Sequence, residues 1–335
     1  MKPVIFGLSG ERITAAERAF FRDANPAGYI LFKRNCVDRA QVRALTNDLR
    51  DMSGRTDLPI LIDQEGGRVS RMQPPEWPAF PAGAAFDALY EIAPISAMEA
   101  AAVNAKAIAL VLSEVGVNVN CLPLLDVRNE RTHPAIGDRA MGSDAMRVAS
   151  LGRHVIDGLR RGGVVAIVKH MPGQGRALVD SHLELPRVDA TEAELSVDLE
   201  PFQRLNTAPM GMTGHIMFPV WDTERCATMS PTIIETIIRG RIGFDGLLMS
   251  DDLDMKALSG DVSNRAADCV AAGCDIALNC WGRMDEMVAI AAKLPDISQR
   301  GGERLAAAMA TITPVSDFRE FDDLIAKRDE LLALV

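Results

Sequence analysis

The sequence predicts an α/β protein, a single-domain (β/α)8 TIM-type barrel, and three observations carry that prediction. Eight short apolar runs alternate with longer segments of helical periodicity along 335 residues. Most of the runs are nearly continuous in hydrophobicity, as parallel strands covered on both faces must be. Polar side chains able to do chemistry gather at the C-terminal ends of those runs, the rim on which barrel enzymes build their active sites.

Taken in order, the first run, 3–8, precedes helical spacing at 15–22, and the second, 28–33, precedes another helix at 37–49. The third, 59–63, ends on Asp63. It leads into a long insertion between Arg68 and Ile95 that carries Pro74, Pro75, Pro78 and Pro81, read as an ordered loop. An Ala-rich helix follows at 96–115. The fourth run, 117–126, ends on Asp126, and the fifth, 164–170, ends on Lys169 and His170. Thr191 and Glu194 then have the spacing of a capping box, in which hydroxyl and carboxylate each satisfy a free amide at a helix start. The sixth run, 209–217, carries His215 late in its length. Ser230 and Pro231 open a helix over 232–239, a cap followed by proline at the first helical position. The seventh run, 246–251, ends on Asp251, and the eighth is 274–280. A helical tail at about 317–335 packs on the outside, so that residues 1–335 make one catalytic domain. An open doubly wound sheet is the alternative. The stretch Gly7-Leu8-Ser9-Gly10 lacks the glycine spacing and acidic partner that such a sheet uses to hold a dinucleotide.

Charge narrows the function classes. A net charge of −10 and a pI near 5.1 argue against a nucleic-acid surface, which needs basic clusters to displace counterions, and against anionic membranes. No stretch is read as approaching the ~20 apolar residues that cross a bilayer, and the N-terminal apolar run is too short for a signal peptide. Six scattered cysteines, with no CxxC pair, read as buried free thiols in a reducing compartment. The cytosol is the expected location.

Two segments are chemically dense. In the first, Lys169 and His170 leave a strand, a loop with Pro172, Gly173 and Gly175 follows, and Asp180 and His182 close it. The carboxylate could orient the ring and stabilise its protonated form, or the loop could simply be solvated. In the second, an apolar strand stops at Asp251 and Asp252, which places at least one carboxylate in the barrel mouth. Asp252 is the candidate helix cap for 253–258, and Asp251 the candidate for chemistry.

At these residues the chain resembles the NagZ-type β-N-acetylglucosaminidases of glycoside hydrolase family 3. The likeness lies in the block from Ile62 to Arg71, in Asn118 to Asp126, in Ile136-Gly137-Asp138-Arg139, in the Lys169 to His182 loop, and in Gly243 to Met255. The resemblance implies a retaining glycosidase in which Asp251 is the nucleophile, His182 the general acid/base and Asp180 its partner. It assigns Asp63, Arg71, Arg139, Lys169 and His170 to the sugar hydroxyls and N-acetyl group, and His215 to the pocket lining. It implies no metal and no organic cofactor, an amino-sugar or muropeptide substrate, and no nucleic-acid or membrane partner. The substrates implied are N-acetylglucosaminyl-1,6-anhydro-N-acetylmuramyl peptides of peptidoglycan recycling. Gln174 stands where the family loop usually carries histidine, and it can donate and accept hydrogen bonds but hold no charge. Met171 stands where an aromatic or branched residue is common. Glycosyl transfer to phosphate and sugar binding without cleavage are the rival readings.

Overall fold

The computed structural model describes residues 1–313, 315 and 318–335. Among the described residues there are ten strands: β1 (Lys2–Gly7), β2 (Pro26–Leu31), β3 (Ile60–Ile62), β4 (Gln64–Gly66), β5 (Val69–Ser70), β6 (Val119–Asn120), β7 (Val165–Met171), β8 (Met210–Thr213), β9 (Leu247–Asp252) and β10 (Ile276–Asn279). All but β4 and β5 form a closed, all-parallel, eight-stranded barrel, with β10 pairing back onto β1. The short antiparallel pair β4–β5 stands on the rim just beyond β3.

Alternation along each strand divides the core into two. Ile5, Ile30, Leu61, Val119, Val165, Ile167, Met210, Met212, Leu247, Met249, Ile276 and Leu278 fill the barrel interior. Their chain neighbours, such as Val4, Phe6, Leu31, Val168 and Leu248, pack outward against the helices. Leu305, Ala308 and Met309 of helix Gln299–Met309 join the interior cluster and close the N-terminal end. With that end plugged by apolar side chains, polar groups can enter the barrel only at the other.

Helix Pro94–Glu114 corrects one expectation. By length and composition it could cross a membrane. Here it is a core helix, buried along Ala97, Ala100, Ala101 and Ile108, with Arg328 of the C-terminal helix Phe321–Leu332 donating to Asn104 at 3.3 Å. Asp317, where the sequence places the start of that tail, lies outside the described residues.

Other elements differ from the sequence reading in ways that have physical causes. The fourth run yields only the two-residue β6, because Pro123 offers no N–H to a ladder; Leu124 bridges Lys169 singly. The proline-bearing insertion is not all loop: it contains β5 and helix Gly83–Ile92, where Phe86 and Leu89 are buried. The segment 253–258 forms turns rather than a helix, so Asp252 caps no helix there, and its carboxylate accepts from the amide of Asp254 at 3.2 Å. The capping box at Thr191 and Glu194 forms as its spacing predicts. All six cysteines are unpaired, and five are buried.

Candidate active site

Strand parity carries specific side chains into the open end of the barrel. Asp63 continues the inward series of Leu61, Lys169 that of Val165 and Ile167, and Asp251 that of Leu247 and Met249. Two local irregularities widen the set. Between Val168 and Met171 β7 carries one residue more than β8, and β9 does the same against β10. Such bulges re-aim side chains beside active sites. Here they bring His170 next to Lys169, and Asp252 next to Asp251, on the wall of one cavity of about 240 Å³. That volume lies below the roughly 300–1,000 Å³ of drug-sized pockets, and is on the scale of a single sugar ring.

The cavity floor is a network of buried charges. Asp63 accepts from Arg71 Nη2 at 2.9 Å and from Lys169 Nζ at 3.0 Å. Lys169 also lies 2.7 Å from Glu65, whose two oxygens accept from Arg139 Nη2 and Nε at 2.8 Å each. Burial alone would push the Glu65 carboxyl up, but Lys169 and Arg139 outweigh it and hold the group down at about 2. Asp63 is lowered in the same way against burial, by Lys169 and Arg71. Burial likewise opposes the charge on Lys169, and Glu65 and Asp63 more than reverse that, raising its ammonium. Two carboxylates and three cations therefore stay ionised together, pointing fixed donors and acceptors at whatever lies above them.

Beside this floor, Asp126 accepts from His170 Nδ1 at 2.7 Å and from the amide of Gln174 at 2.7 Å. Burial would raise the Asp126 carboxyl, and His170 together with these bonds lowers it. Asp251 is buried at 9% exposure, and its Oδ1 accepts from the amide of Asp252 at 2.8 Å. Burial first, and Asp254 second, push the Asp252 carboxyl up to about 7.

The lip comes from the loop after β7. Asp180 Oδ1 accepts from both the ring Nδ1 of His182, at 2.7 Å, and its backbone amide, at 2.9 Å. The carboxyl of Asp180 is lowered despite partial burial, chiefly by those two bonds. With Nδ1 engaged, Nε2 of His182 has no partner among the described residues, and the side chain is 62% exposed. Both residues line the same cavity as Asp251.

Of the catalytic and sugar-binding candidates read from the sequence, eight meet here: Asp251, His182, Asp180, Asp63, Arg71, Arg139, Lys169 and His170. His215 does not. It has the opposite parity to Met212 on its strand and is fully buried, with Nδ1 on Thr228 Oγ1 at 2.8 Å and Nε2 on the carbonyl of Asp252 at 3.0 Å. Burial lowers its imidazole, so it is a neutral prop behind β9 rather than a lining residue. Glu65 and Ser181, given no role by sequence reasoning, belong to the cavity. Glu65 carried a usable signal, since it lies two residues beyond Asp63 and so on the same side of an extended segment. A wider groove of about 740 Å³ at the N-terminal end of the barrel presents Asp245 and Glu303 already matched by Arg300 and Arg304, and it carries no histidine.

Comparison with known proteins places the family and the fold. Residues 4–313 match the N-terminal domain of glycosyl hydrolase family 3. A beta-hexosaminidase of Chromobacterium violaceum is 38% identical over 314 residues, 90% of this chain and 85% of that protein. One from Bordetella avium is 36% identical over 283 residues, 83% and 80% of the two chains. Among solved structures, NagZ from Neisseria gonorrhoeae in complex with N-trifluoroacetyl-D-glucosamine superposes with a TM-score of 0.88 at 29% identity, covering 99% of this chain and 97% of that one. A family 3 beta-N-acetylglucosaminidase from Paenibacillus sp. gives 0.87 at 31% identity, over 98% and 67%.

Proposed function

The chain belongs to glycosyl hydrolase family 3, and from that premise we propose that it is a retaining, exo-acting β-N-acetylhexosaminidase that removes terminal β-linked N-acetylglucosamine. One observation carries the reading. A buried carboxylate, Asp251, and a carboxylate-bound imidazole, His182, face one ring-sized cavity whose floor is a fixed set of charged hydrogen-bonding groups.

Retaining glycosidases use a nucleophile and a group that is first acid and then base. Asp251 attacks the anomeric carbon while protonated His182 delivers its Nε2 proton to the departing glycosidic oxygen, leaving a covalent glycosyl-aspartate. Neutral His182 then takes a proton from water as the water releases the sugar. Imidazole suits both turns, since it both donates and accepts protons near neutral pH. Asp180 stays anionic, holds Nδ1–H and favours the charged ring. Asp63, Arg71, Lys169, His170 and Arg139 hold the sugar, with Glu65 and Asp126 keeping the cations and the imidazole in place. The amino-sugar preference is supported by the relatives' activity and by the N-acylglucosamine in the gonococcal complex. Within that class, the family resemblance points to N-acetylglucosaminyl-1,6-anhydro-N-acetylmuramyl peptides and to cytosolic peptidoglycan recycling.

Hydrolysis of a nitrophenyl N-acetyl-β-glucosaminide, followed by NMR of the first anomer released, tests the proposal. β-N-acetylglucosamine as the first product supports it. The α anomer overturns retention, a sugar 1-phosphate formed in phosphate buffer makes the enzyme a phosphorylase, and binding without turnover makes it a sugar-binding barrel.

A further inference from the structure

On the loop that carries Asp180 and His182 the histidine is exposed and Asp180 half-buried, yet the residue between them is 2% exposed. Ser181 is turned inward, where its hydroxyl faces the side-chain amide of Gln174 at 3.4 Å and its carbonyl accepts from the amide of Ala257 at 3.2 Å. Gln174 is itself 5% exposed and lines the cavity. Its backbone is tied down, since its amide donates to Asp126 and that of Gly173 donates to the carbonyl of His170 at 2.8 Å. The next residue has no freedom either: a Cβ on Gly175 would lie 1.8 Å from the carbonyl oxygen of Val127. The side-chain amide is less well satisfied than its backbone. Among the described residues its buried Oε1 has no hydrogen-bond partner, and the one hydrogen bond of its Nε2, to Ser181, is long for an N–H···O bond. A buried amide left short of partners is destabilising, and core packing alone gives no reason to keep one here.

We infer that Gln174 is a positioning residue for the acid/base, its amide registering Ser181 and thereby the Asp180–His182 pair over Asp251. This rests on the proposed glycosidase mechanism. Gln174 links two sets of groups that would otherwise be independent: Asp126 and His170 at the strand end, and Ser181 with its two working neighbours on the loop. Being uncharged, the amide sets the height of His182 above the cavity without adding a second titrating group beside it. It acts on the proton transfer and not on the sugar. The signature is therefore a loss that grows as the leaving group becomes poorer.

The test uses the full chain as Gln174→Ala, Ser181→Ala and the double variant, read in two ways. Amide exchange over residues 178–184 should rise about ten-fold in each variant and no further in the double, with the barrel strands unchanged. For kcat/KM, each single variant should lose about ten-fold more on a disaccharide than on a dinitrophenyl N-acetylglucosaminide, with KM within about two-fold, and the double should lose no more than either single. Equal losses on both substrates, additive losses in the double, or unchanged loop exchange would each overturn the inference. If the glycosidase reading itself were wrong, wild type would turn over neither substrate, while the exchange result would still decide whether Gln174 holds the loop.

Discussion

The floor and the lip of the cavity are built from the same kinds of side chain in opposite ways. On the floor, Glu65 and Lys169 are buried and Asp63 and Arg139 largely so, all ion-paired to one another and fixed on strand ends or tight turns. On the lip, Asp180 and His182 are bound mainly to each other, and the imidazole stands in solvent. The difference fits the part that the proposed mechanism gives each region. A buried network whose charges are mutually satisfied recognises a neutral, hydroxyl-rich ring without reorganising, because breaking any pair is costly. A group that must gain and lose a proton in each turnover cannot be held so tightly, and an exposed ring with one nitrogen engaged is free to exchange. Asp251 sits between them, fixed by strand parity like the floor, and in the proposed mechanism it reacts with what the lip protonates.

The largest expected effect comes from removing that junction. Asp251→Ala should lower turnover by about four or more orders of magnitude, with sugar affinity and thermal midpoint close to wild type. A mechanism-based fluoroglycosyl reagent should label the wild-type peptide at Asp251. Label on Asp252 would move the nucleophile by one residue and break the parity argument.

Next is the floor itself. Glu65→Gln removes a counter-charge from Lys169 and Arg139 and should cost about 3–5 kcal/mol of stability while raising KM. Because the Glu65 carboxyl is held at about 2 when folded, against roughly 4.3 when unfolded, its contribution is full above that unfolded value and is lost as pH falls through about 2. Wild type should therefore lose thermal stability steeply in that acid window, and Glu65→Gln should lose less. Parallel acid profiles would show that the floor is not held by this pair.

The smallest effect tests the odd carboxylate. Asp252 is pushed up to about 7, above roughly 3.9 when unfolded, so the folded state binds the extra proton and stability falls as pH rises between those values. Asp252→Asn should flatten that slope and raise the thermal midpoint at pH 7.5 by about 2 °C. No change in slope would mean that Asp252 is ionised at little cost.

Much of this contrast was legible in the sequence, for a physical reason. The eight strands and Asp63, Lys169 and Asp251 at their ends follow from hydrophobic runs that stop at a charge, since a plugged barrel offers polar groups only one exit. The pairing of Asp180 with His182 was legible because two residues of one short loop suffice to make it. His215, which the resemblance assigns to the pocket lining, stands outside the cavity for a reason of strand parity. Counting by twos from Met210 and Met212 puts position 214 inward and 215 behind the sheet, where it props the carbonyl of Asp252. The two bulges that expose His170 and Asp252 could not be read, because they arise from how neighbouring strands pair rather than from either strand alone. Helix Gly83–Ile92 was hidden by the prolines before it and by Ala82 at its cap, which gives no side-chain hydrogen bond to mark the start.

The division of labour between floor and lip is tested most directly by one variant on two substrates. His182→Ala should slow disaccharide cleavage by about 10²–10⁴-fold yet leave the bond-breaking step on a dinitrophenyl N-acetylglucosaminide much less affected, because that leaving group departs with little need of a proton. The second step then lacks its base, so glycosyl-enzyme should accumulate as a pre-steady-state burst, and azide, which needs no deprotonation, should relieve the block and give the β-glycosyl azide. Equal slowing on both substrates, with no burst and no azide product, would contradict the account and remove His182 from the proton transfer.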